Sequence, residues 1–441
     1  MKIDNFRISQ LEQVYAIGLK DEQITIHSQQ TRAICLARLL DEQYAKSDER
    51  KKSVCIVGGG LAGLTCALEL IRKKWTDIEI LERMPDLLAV QNGCDTRWVH
   101  PHIINWPDPG SDNPNSNHGV LDWSASTASN VTYNIENQWL EEIKNGLERD
   151  SKGRPGRGLS VHLGVTYIHA RVLTNAGNET EVEWIRDANV RAMGFPGSKV
   201  VNSDRRRFDH IIFASGFGIE QSSLHSYWRN EGHGQLHIDG LQRSYIISGL
   251  GDGAISDLLR LTTKHFRPDR VIDAPPLVAL KPFLEKIKDD VLKSPATFDL
   301  ISALLISASK KKETGRAWKE LQKHFVNQKR VDTKVFLYHR STEGFARAFN
   351  ESPASFFNKL LLFILYKNGA FQYLDDKDPG GLEHHIRYHS IPKENVILRH
   401  GANRRAIVES ILHHPKPETQ FEHQPYAECK RYVDQTHVPR P

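Results

Sequence analysis

Cysteine is scarce in this chain, and its few copies form no redox pair. There are five cysteines, an odd number, and none of them stands in a Cys-x-x-Cys spacing. A disulfide-stabilised fold needs paired cysteines, so this class is excluded. Cys55 and Cys66 lie inside apolar stretches, where a thiol packs as a small apolar side chain. The pattern indicates a protein of a reducing compartment.

Long apolar runs and a strong net charge are missing as well. The longest apolar run, residues 360–366, is much shorter than the roughly 20 residues that cross a bilayer. The first ten residues, MKIDNFRISQ, contain no apolar signal region, so we expect a cytoplasmic protein without a membrane partner. The net charge is only +5, and the basic runs at 205–207 and 310–312 are short. We therefore expect no nucleic-acid partner.

The remaining composition is that of a soluble globular protein. Apolar residues make up 39% of the chain and charged residues 26%. A chain of 441 residues is too long for one hydrophobic core of ordinary size. We therefore predict two domains, or one domain with a large insertion.

The most informative stretch is residues 54–82, VCIVGGGLAGLTCALELIRKKWTDIEILE. A short apolar run ends at Gly58, a helical pattern follows Gly63, and a second apolar run ends at Glu82. This order predicts a strand, a tight turn, a helix and a second strand closed by an acid. It is the pattern of a dinucleotide-binding unit.

Each glycine of this turn has a physical task. Gly58 permits the sharp exit from the strand, Gly60 lets the backbone approach a pyrophosphate, and Gly63 lets the helix pack closely on the sheet. The helix N-terminus offers free N–H groups and a positive dipole to the phosphates. Glu82 lies 19 residues after Gly63, where a carboxylate accepts hydrogen bonds from a ribose.

FAD and NAD both carry such a ribose, so this stretch alone leaves both open. NADP is disfavoured, because Glu82 would repel its 2′-phosphate. We predict that the dinucleotide contacts seven residues of the turn and of the second strand end: Gly58, Gly60, Leu61, Ala62, Gly63, Glu82 and Arg83.

The whole chain divides into three predicted parts. Residues 1–50 are predicted as an N-terminal arm, with a short strand at 24–27 and a helix over 31–44 capped by Ser28. Residues 51–263 are predicted as the nucleotide-binding domain. Short alternating or β-branched runs at 159–163, 165–172, 181–185 and 199–202 predict a Rossmann strand followed by an antiparallel β-meander. Residues 264–441 are predicted as a mostly helical region that caps the cofactor and provides a substrate or partner surface.

Two later motifs decide between the dinucleotides. FDHIIFASGFG, residues 208–218, is a buried strand that ends in Ala-Ser-Gly, and SYIISGLGDG, residues 244–253, is a buried strand that ends in Gly-Asp. Together with the first glycine turn, this chain resembles the FAD/NAD(P)-binding flavoprotein superfamily with the glutathione-reductase type of FAD domain. That family carries an Ala-Thr-Gly-like strand end after its meander and a late Gly-Asp before a helix.

The resemblance implies FAD as the cofactor, with NAD as the alternative, and a Rossmann-like α/β fold. The implied fold is a parallel sheet with an antiparallel β-meander, followed by the largely helical C-terminal region. The family's late Asp binds the ribityl chain of FAD, so the resemblance implies this task for Asp252. The further cofactor contacts that it implies are Ala214, Ser215, Gly216, Gly251 and Gly253.

One feature of the disulfide-reductase branch is not evident. Gly249-Leu-Gly251 does not stand in a second strand–turn–helix with an acid beyond it, and no redox cysteine pair occurs. We therefore expect no dedicated nicotinamide domain. NAD(P)H remains possible as a co-substrate that binds without its own Rossmann fold.

The segment QNGCDTRWVHPHIINWPDPGS, residues 91–111, is dense in chemically active side chains. With LDWSASTAS, residues 121–129, it is similar to a group of uncharacterised bacterial FAD/NAD(P)-binding proteins. In related flavoproteins the chain after the acid runs towards the flavin ring. We predict Arg97 as a cation that stabilises the reduced flavin and His100 as a group that moves protons. The alternative is that both side chains only support a tight Pro-rich loop.

Two further groups have simpler explanations. His384, His385 and His389 lack a carboxylate or thiol that would complete a site, so we predict no metal. Gln29, Gln30 and Arg32 could fold over the cofactor, but a plain helix start explains them.

The function predicted from these observations is an FAD-dependent oxidoreductase of an oxidase- or monooxygenase-like type. The flavin would take a hydride from an organic substrate or NAD(P)H and pass electrons on, for example to oxygen. The alternative is a non-catalytic FAD- or NAD-binding sensor or scaffold subunit, with the C-terminal region as the surface for a protein partner. The small-molecule substrate and the oligomeric state are not indicated by any motif.

Overall fold

The structure is a computed structural model, and it describes most of the chain. The described residues are 1–8, 11, 13–18, 24–45, 53–146, 158–172, 180–187, 190, 203–215, 219–220, 226–341, 343–377, 380–412 and 426–436. None of the helices in these ranges has the length and apolar character needed to cross a membrane. All five cysteines are buried free thiols.

The first half of the chain forms eleven strands and three helices within the described ranges. They are β1 (Val14–Ala16), α1 (Ile26–Ala45), β2 (Val54–Val57), α2 (Leu61–Arg72), β3 (Ile78–Leu81), β4 (Trp98–Val99), β5 (Ser126–Thr127), α3 (Ala128–Gly146), β6 (Leu159–His162), β7 (Val165–Val172), β8 (Thr180–Arg186), β9 (Ser203–Phe208), β10 (His210–Phe213) and β11 (Ile219–Glu220). Short single-turn helices lie at 3–6 and 103–105.

Five of these strands form a parallel sheet in the order β6-β3-β2-β10-β1. The central strand β2 is buried along its whole length, as its unbroken apolar sequence predicts. Strands β7, β8 and β9 form a separate antiparallel meander between β6 and β10 in the chain. The predicted meander is therefore present. Its last strand is Ser203–Phe208, whereas the predicted run at 199–202 lies outside the described residues.

The N-terminal residues contribute directly to this sheet. Strand β1 pairs in parallel with β10 and forms the fifth strand, and helix α1 packs against α2. The predicted strand at 24–27 is wrong, because α1 begins at Ile26. The predicted cap is wrong too. Thr25 Oγ1 accepts a hydrogen bond from the Ser28 amide, and Ser28 Oγ accepts one from the Thr25 amide. This reciprocal pair caps the helix one turn earlier than predicted.

The second half of the chain forms five strands and ten helices within the described ranges. They are β12 (Arg243–Ser248), α4 (Asp252–Thr262), α5 (Pro268–Ile272), α6 (Pro275–Lys293), α7 (Thr297–Ser309), α8 (Lys312–Asn327), β13 (Thr333–Tyr338), α9 (Phe345–Glu351), α10 (Phe356–Lys367), β14 (Gln372–Leu374), α11 (Gly381–Tyr388), β15 (Val396–Leu398), β16 (Ala402–Asn403), α12 (Arg404–Leu412) and α13 (Tyr426–Thr436).

Four of these strands form a second parallel sheet, in the order β14-β13-β12-β15. This corrects two predictions. Strand β12 was expected to lie in the FAD domain, but it is the first strand of the second sheet. The residues from 264 onwards are not only helical, because they supply the other three strands. Helices α4, α6, α8 and α10 share one apolar core on this sheet, with Leu258, Leu284 and Leu361 among its buried members.

The second unit ends with β16, which pairs with β11 of the first unit in a separate two-stranded sheet. Helix α12 then packs beside the meander, with Val408 in the core. Helix α13 packs on α1, where Arg38 Nη1 donates to the Val433 carbonyl at 3.0 Å. The first unit is therefore built from both ends of the chain, and the second unit, residues 226–403, lies between them.

This arrangement makes α1 part of the core, so a core substitution in it should be costly. Leu40 is fully buried in the cluster of α1, α2, α3 and α13. Leu40→Ala should lower the free energy of unfolding by about 2–5 kcal/mol, measured by chemical denaturation. The matched control is Gln43→Ala on the exposed face of the same helix. Equal effects of both substitutions would show that α1 is only a peripheral arm.

Candidate functional site

The first glycine turn has the geometry that its sequence predicts. Gly58 has a φ of +121°, and a Cβ there would lie 2.5 Å from the Ala214 carbonyl oxygen. A Cβ at Gly63 would lie 2.0 Å from the Gly58 carbonyl oxygen. Both positions therefore require glycine. A Cβ at Gly60 would meet nothing within 4 Å, so the space beside the N-terminus of α2 is open. A pyrophosphate fits such a space.

Glu82 is joined to this turn by hydrogen bonds. Its Oε2 accepts from the Gly59 amide at 2.6 Å, and its Oε1 accepts from the Met84 amide at 2.7 Å. The carboxylate is half-buried, while Arg83 next to it is exposed. Since a carboxylate oxygen can accept more than one hydrogen bond, Glu82 can also accept the hydroxyls of a ribose.

The Ala-Ser-Gly motif after β10 lies beside the same turn. The Ala214 amide donates to the Val57 carbonyl at 2.8 Å, and this contact joins the ends of β10 and β2. Ser215 Oγ is buried and has no hydrogen-bond partner among the described residues. A buried hydroxyl of this kind is suited to a ligand. Gly216 lies outside the described residues. An orphaned hydroxyl and an open backbone cradle together fit an adenine dinucleotide.

The late Gly-Asp motif does not join this site. Gly251, Asp252 and Gly253 stand at the start of α4, on the second sheet. The Asp252 carboxylate accepts from the Ser355 amide and hydroxyl at 2.9 and 2.8 Å, and from Asn358 Nδ2 at 2.6 Å. The task implied for Asp252 is therefore corrected, because its Oδ1 anchors the start of α10. In the first sheet the strand that pairs with β10 at the edge is β1, not β12.

Helix α1 follows β1 and brings a run of buried polar side chains to this edge of the sheet. Gln30 Oε1 accepts from Trp123 Nε1 at 2.7 Å, and Gln30 Nε2 donates to the Leu121 carbonyl at 3.0 Å. The Arg32 guanidinium donates to Ser28 Oγ and to Gln29 Oε1 at 3.1 and 3.3 Å. These contacts support the helix and the loop above it, in line with a plain helix start.

Arg97 is engaged with the second unit. Its guanidinium forms an ion pair with Asp257 of α4 and donates from Nε to the Tyr227 carbonyl at 2.7 Å. Asp257 is fully buried and also accepts from Arg399 Nε at 2.8 Å. Burial alone would raise the pKa of Asp257, but Arg97 and Arg399 beside it lower the pKa below its usual value. Arg97 is therefore ion-paired with Asp257, and its predicted place beside the flavin stays a prediction.

A nearby group of acids and a histidine resembles a metal site but is an ion-pair network. Glu231, His233 and Asp257 have potential ligand atoms within 4.8 Å of one another. However, Arg260 forms an ion pair with Glu231, and Asp257 has its two arginines. The two carboxylates are therefore already paired with arginines.

His100 belongs to a buried group of histidines. His27 stacks on His118 with ring centroids 4.2 Å apart, and His27 contacts His102 edge-on at 4.5 Å. His100 Nδ1 accepts from the His102 amide at 3.2 Å, and Tyr426 OH is 3.0 Å from His27 Nδ1. We call these four histidines the histidine cluster. It joins α1, the loop after β3 and α13.

Burial keeps the histidine cluster neutral. It lowers the pKa of His100 and of His118 to about 4, and the pKa values of His27 and His102 are lowered for the same reason. The neighbouring His102 lowers the pKa of His100 further. At neutral pH these imidazoles can therefore accept a proton but have none to donate as imidazolium.

The cluster predicts a loss of stability in acid. In the unfolded chain these histidines bind protons near pH 6.5, whereas in the folded protein His100 and His118 bind them only near pH 4. Their contribution to stability is present above about pH 6.5 and is lost as the pH falls through about 4. Chemical denaturation at several pH values should show this slope, and His118→Gln should reduce it. An unchanged slope in the variant would contradict the assignment.

The comparisons with known proteins agree with this geometry. Residues 53–206 match the family described as DAO, FAD dependent oxidoreductase. The match spans roughly a third of the chain and includes the glycine turn, Glu82 and most of the meander. No curated protein matches the chain. The prediction of FAD as the cofactor is confirmed by this match, in which residues 53–206 are similar to FAD-dependent oxidoreductases.

Proposed function

We propose that the protein is an enzyme that uses FAD to oxidise a small organic molecule or NAD(P)H and then passes the electrons to an acceptor such as oxygen. The observation that carries this proposal is the open cradle at Gly60, with Glu82 on one side and the unpartnered Ser215 hydroxyl on the other. Bound FAD supplies the hydride-accepting ring. The chain supplies the binding groups and the proton-accepting groups.

The binding groups are assigned from their positions. The N–H groups of the first turn of α2 face the open space at Gly60, and their dipole favours a pyrophosphate there. Glu82 is held in place by the Gly59 and Met84 amides, so its carboxylate is pre-oriented towards a ribose. Ser215 completes the set as a hydroxyl donor or acceptor.

Proton transfer is assigned to the histidine cluster, with His100 as the candidate base. Its imidazole is neutral at pH 7 and buried, so it can take a proton from a substrate hydroxyl or amine as the hydride leaves. Its low pKa makes it a weak base in the free protein. Arg97 is assigned a positioning role, because its ion pair with Asp257 fixes the loop that carries His100.

The cofactor assignment is tested by filling the cradle. Gly60 has φ −78° and ψ −178°, an extended conformation that any residue adopts, and a Cβ there has free space. Gly60→Val should therefore fold but lose its flavin, because the new methyl groups occupy the pyrophosphate position. Visible absorbance of the purified wild-type protein and of the variant measures this. A colourless wild-type protein that binds NAD, or full flavin content in the variant, would overturn the assignment.

Turnover is tested at His100. Anaerobic mixing with NADH, NADPH and a panel of alcohols and amines identifies a donor that bleaches the flavin. With an organic donor, His100→Ala should lower the turnover rate by about 10²-fold or more and leave the flavin content unchanged. Unchanged turnover would remove His100 from the mechanism. If no donor bleaches a yellow wild-type protein, a non-catalytic sensor or scaffold is the better description.

A further inference from the structure

The second unit repeats the nucleotide-binding turn of the first. After β12 the chain reads Gly-Leu-Gly-Asp-Gly-Ala, residues 249–254, which has the G-x-G-x-x-A spacing of a dinucleotide fingerprint. Gly249 has a φ of +129°, close to the +121° of Gly58. Gly251 has φ −80° and ψ 175°, against −78° and −178° for Gly60. As the sequence predicts, this turn connects a strand to a helix, and no acid follows the next strand, because β13 is followed by His339.

The close contacts of the two turns also correspond. A Cβ at Gly249 would lie 2.4 Å from the Arg399 carbonyl oxygen, as one at Gly58 would lie 2.5 Å from that of Ala214. The Arg399 amide donates to the Ser248 carbonyl at 2.8 Å, the same distance as from Ala214 to Val57. A Cβ at Gly251, like one at Gly60, would meet nothing within 4 Å. Both turns therefore leave open space beside a helix N-terminus.

The sheets around the two turns have the same topology. The strand that precedes the turn is second from one edge in the four-strand order β14-β13-β12-β15. The first sheet repeats this order in β6-β3-β2-β10. Numbered from the strand that precedes the glycine turn, both orders read 3-2-1-4. The strand order of such sheets reverses beside strand 1, and dinucleotides bind in the crevice at that point.

We propose that the carboxyl edge of β12, β13 and β15 is a second dinucleotide-binding site, distinct from the FAD site, and that it takes the 2′-phosphorylated nucleotide NADPH. The pyrophosphate would lie at Gly251 and the N-terminus of α4. The proposal concerns binding and is independent of whether the flavin turns over.

A cavity of about 460 Å³ lies at this edge of the second sheet. Its lining residues follow the ends of the strands and include the start of α11: Ser248, Tyr338, Arg340, Asp376, Gly380, Gly381, Leu382, Glu383 and His400. A volume of this size falls within the usual range of small-molecule sites. Ser248 Oγ is 2.7 Å from His400 Nε2, and this contact joins the ends of β12 and β15 across the point where the strand order reverses.

The residues after β13 decide which dinucleotide is preferred. In the first unit β3 is followed by Glu82 and Arg83, and at the equivalent place β13 is followed by His339 and Arg340. An acid directly after this strand binds the ribose hydroxyls of NAD, whereas an arginine nearby accommodates the 2′-phosphate of NADP. In the second unit His339 takes the place of the acid, and Arg340 is the nearby arginine. Arg340 is exposed, and no hydrogen bond or ion pair holds it among the described residues.

Two carboxylates share the cavity and set its polarity. Asp376 accepts from Tyr338 OH at 2.7 Å, so one of its oxygens is already used within the wall. Glu383 stands in the first turn of α11, where a helix dipole stabilises a negative charge. Arg399 lies on the other side of the turn, with its Cδ 3.8 Å from a Cβ position at Gly253. The guanidinium of Arg399 is paired with Asp257, so Arg340 is the cation that we assign to the ribose end.

Binding to the purified full-length protein tests the proposal. Titrations with NADPH and NADH, followed by nucleotide fluorescence, should show NADPH binding more tightly by about tenfold or more. Gly251→Val should abolish NADPH binding and keep the flavin content of the wild type. Gly60→Val should do the reverse, losing flavin and keeping NADPH binding. Since each variant blocks one site, failure of the FAD assignment and failure of the second site are distinguishable.

A third variant tests the proposal without a change in a glycine turn, so misfolding would not explain its result. Arg340→Ala changes an exposed side chain, so its fold should be unaffected, and it should bring the NADPH affinity down to that of NADH. The proposal is overturned if the wild-type protein binds neither nucleotide. It is also overturned if Gly251→Val binds NADPH as the wild type does, or if NADH binds as tightly as NADPH.

Discussion

The structure depends on a contact that only a glycine backbone can make. At the ends of β2 and β12, the chain turns very closely past the ends of β10 and β15. A Cβ in either turn would collide with a carbonyl oxygen. The distance would be 2.5 Å at Gly58 and 2.4 Å at Gly249. Both glycines also have a positive φ, which residues with a Cβ rarely adopt. This close approach places each helix N-terminus at the carboxyl edge of its sheet, where a cofactor can reach it.

A buried carboxylate links the two units. Asp257 on α4 lies between Arg97, from the loop after β3, and Arg399, from the end of β15. Trp106 from the same loop is buried in the core of the second unit, against Phe357. A buried carboxylate left without its partners is strongly destabilising, so the loop is held by charge as well as by packing. The segment with the densest chemistry in the sequence therefore serves first as the connection between two sheets.

The parts of the fold that follow from local sequence were predictable. The first glycine turn, Glu82 and the first two strands of the meander depend on contiguous patterns, and the structure shows them where the sequence places them. The second unit escaped prediction because residues 263–332, mostly α5 to α8, separate α4 from β13. The usual spacing to the next strand is thereby lost, and the strand is followed by His339 instead of an acid. The spacing of Gly249, Gly251 and Ala254 was the available signal.

The rest of the site could not be read from sequence because it depends on distant pairings. Nothing in the sequence near Val14 shows that it pairs with Ile211, and nothing near Arg97 shows that it meets Asp257. The role implied for Asp252 failed for the same reason. Its motif was identified correctly as a glycine turn before a helix, but the sheet to which it belongs is decided by long-range strand pairing.

The first unit is built from both ends of the chain, and this has a consequence for its biosynthesis. Strand β1 emerges early from the ribosome, but its neighbour β10 is made almost 200 residues later, and α13 closes over α1 only when the last segment is complete. The inserted unit, residues 226–403, contains all four strands of its own sheet. Since contacts close in sequence form before distant ones, the inserted unit can fold while the flavin-binding unit is still unfinished. The order of assembly is then the reverse of the order in which the two glycine turns are synthesised.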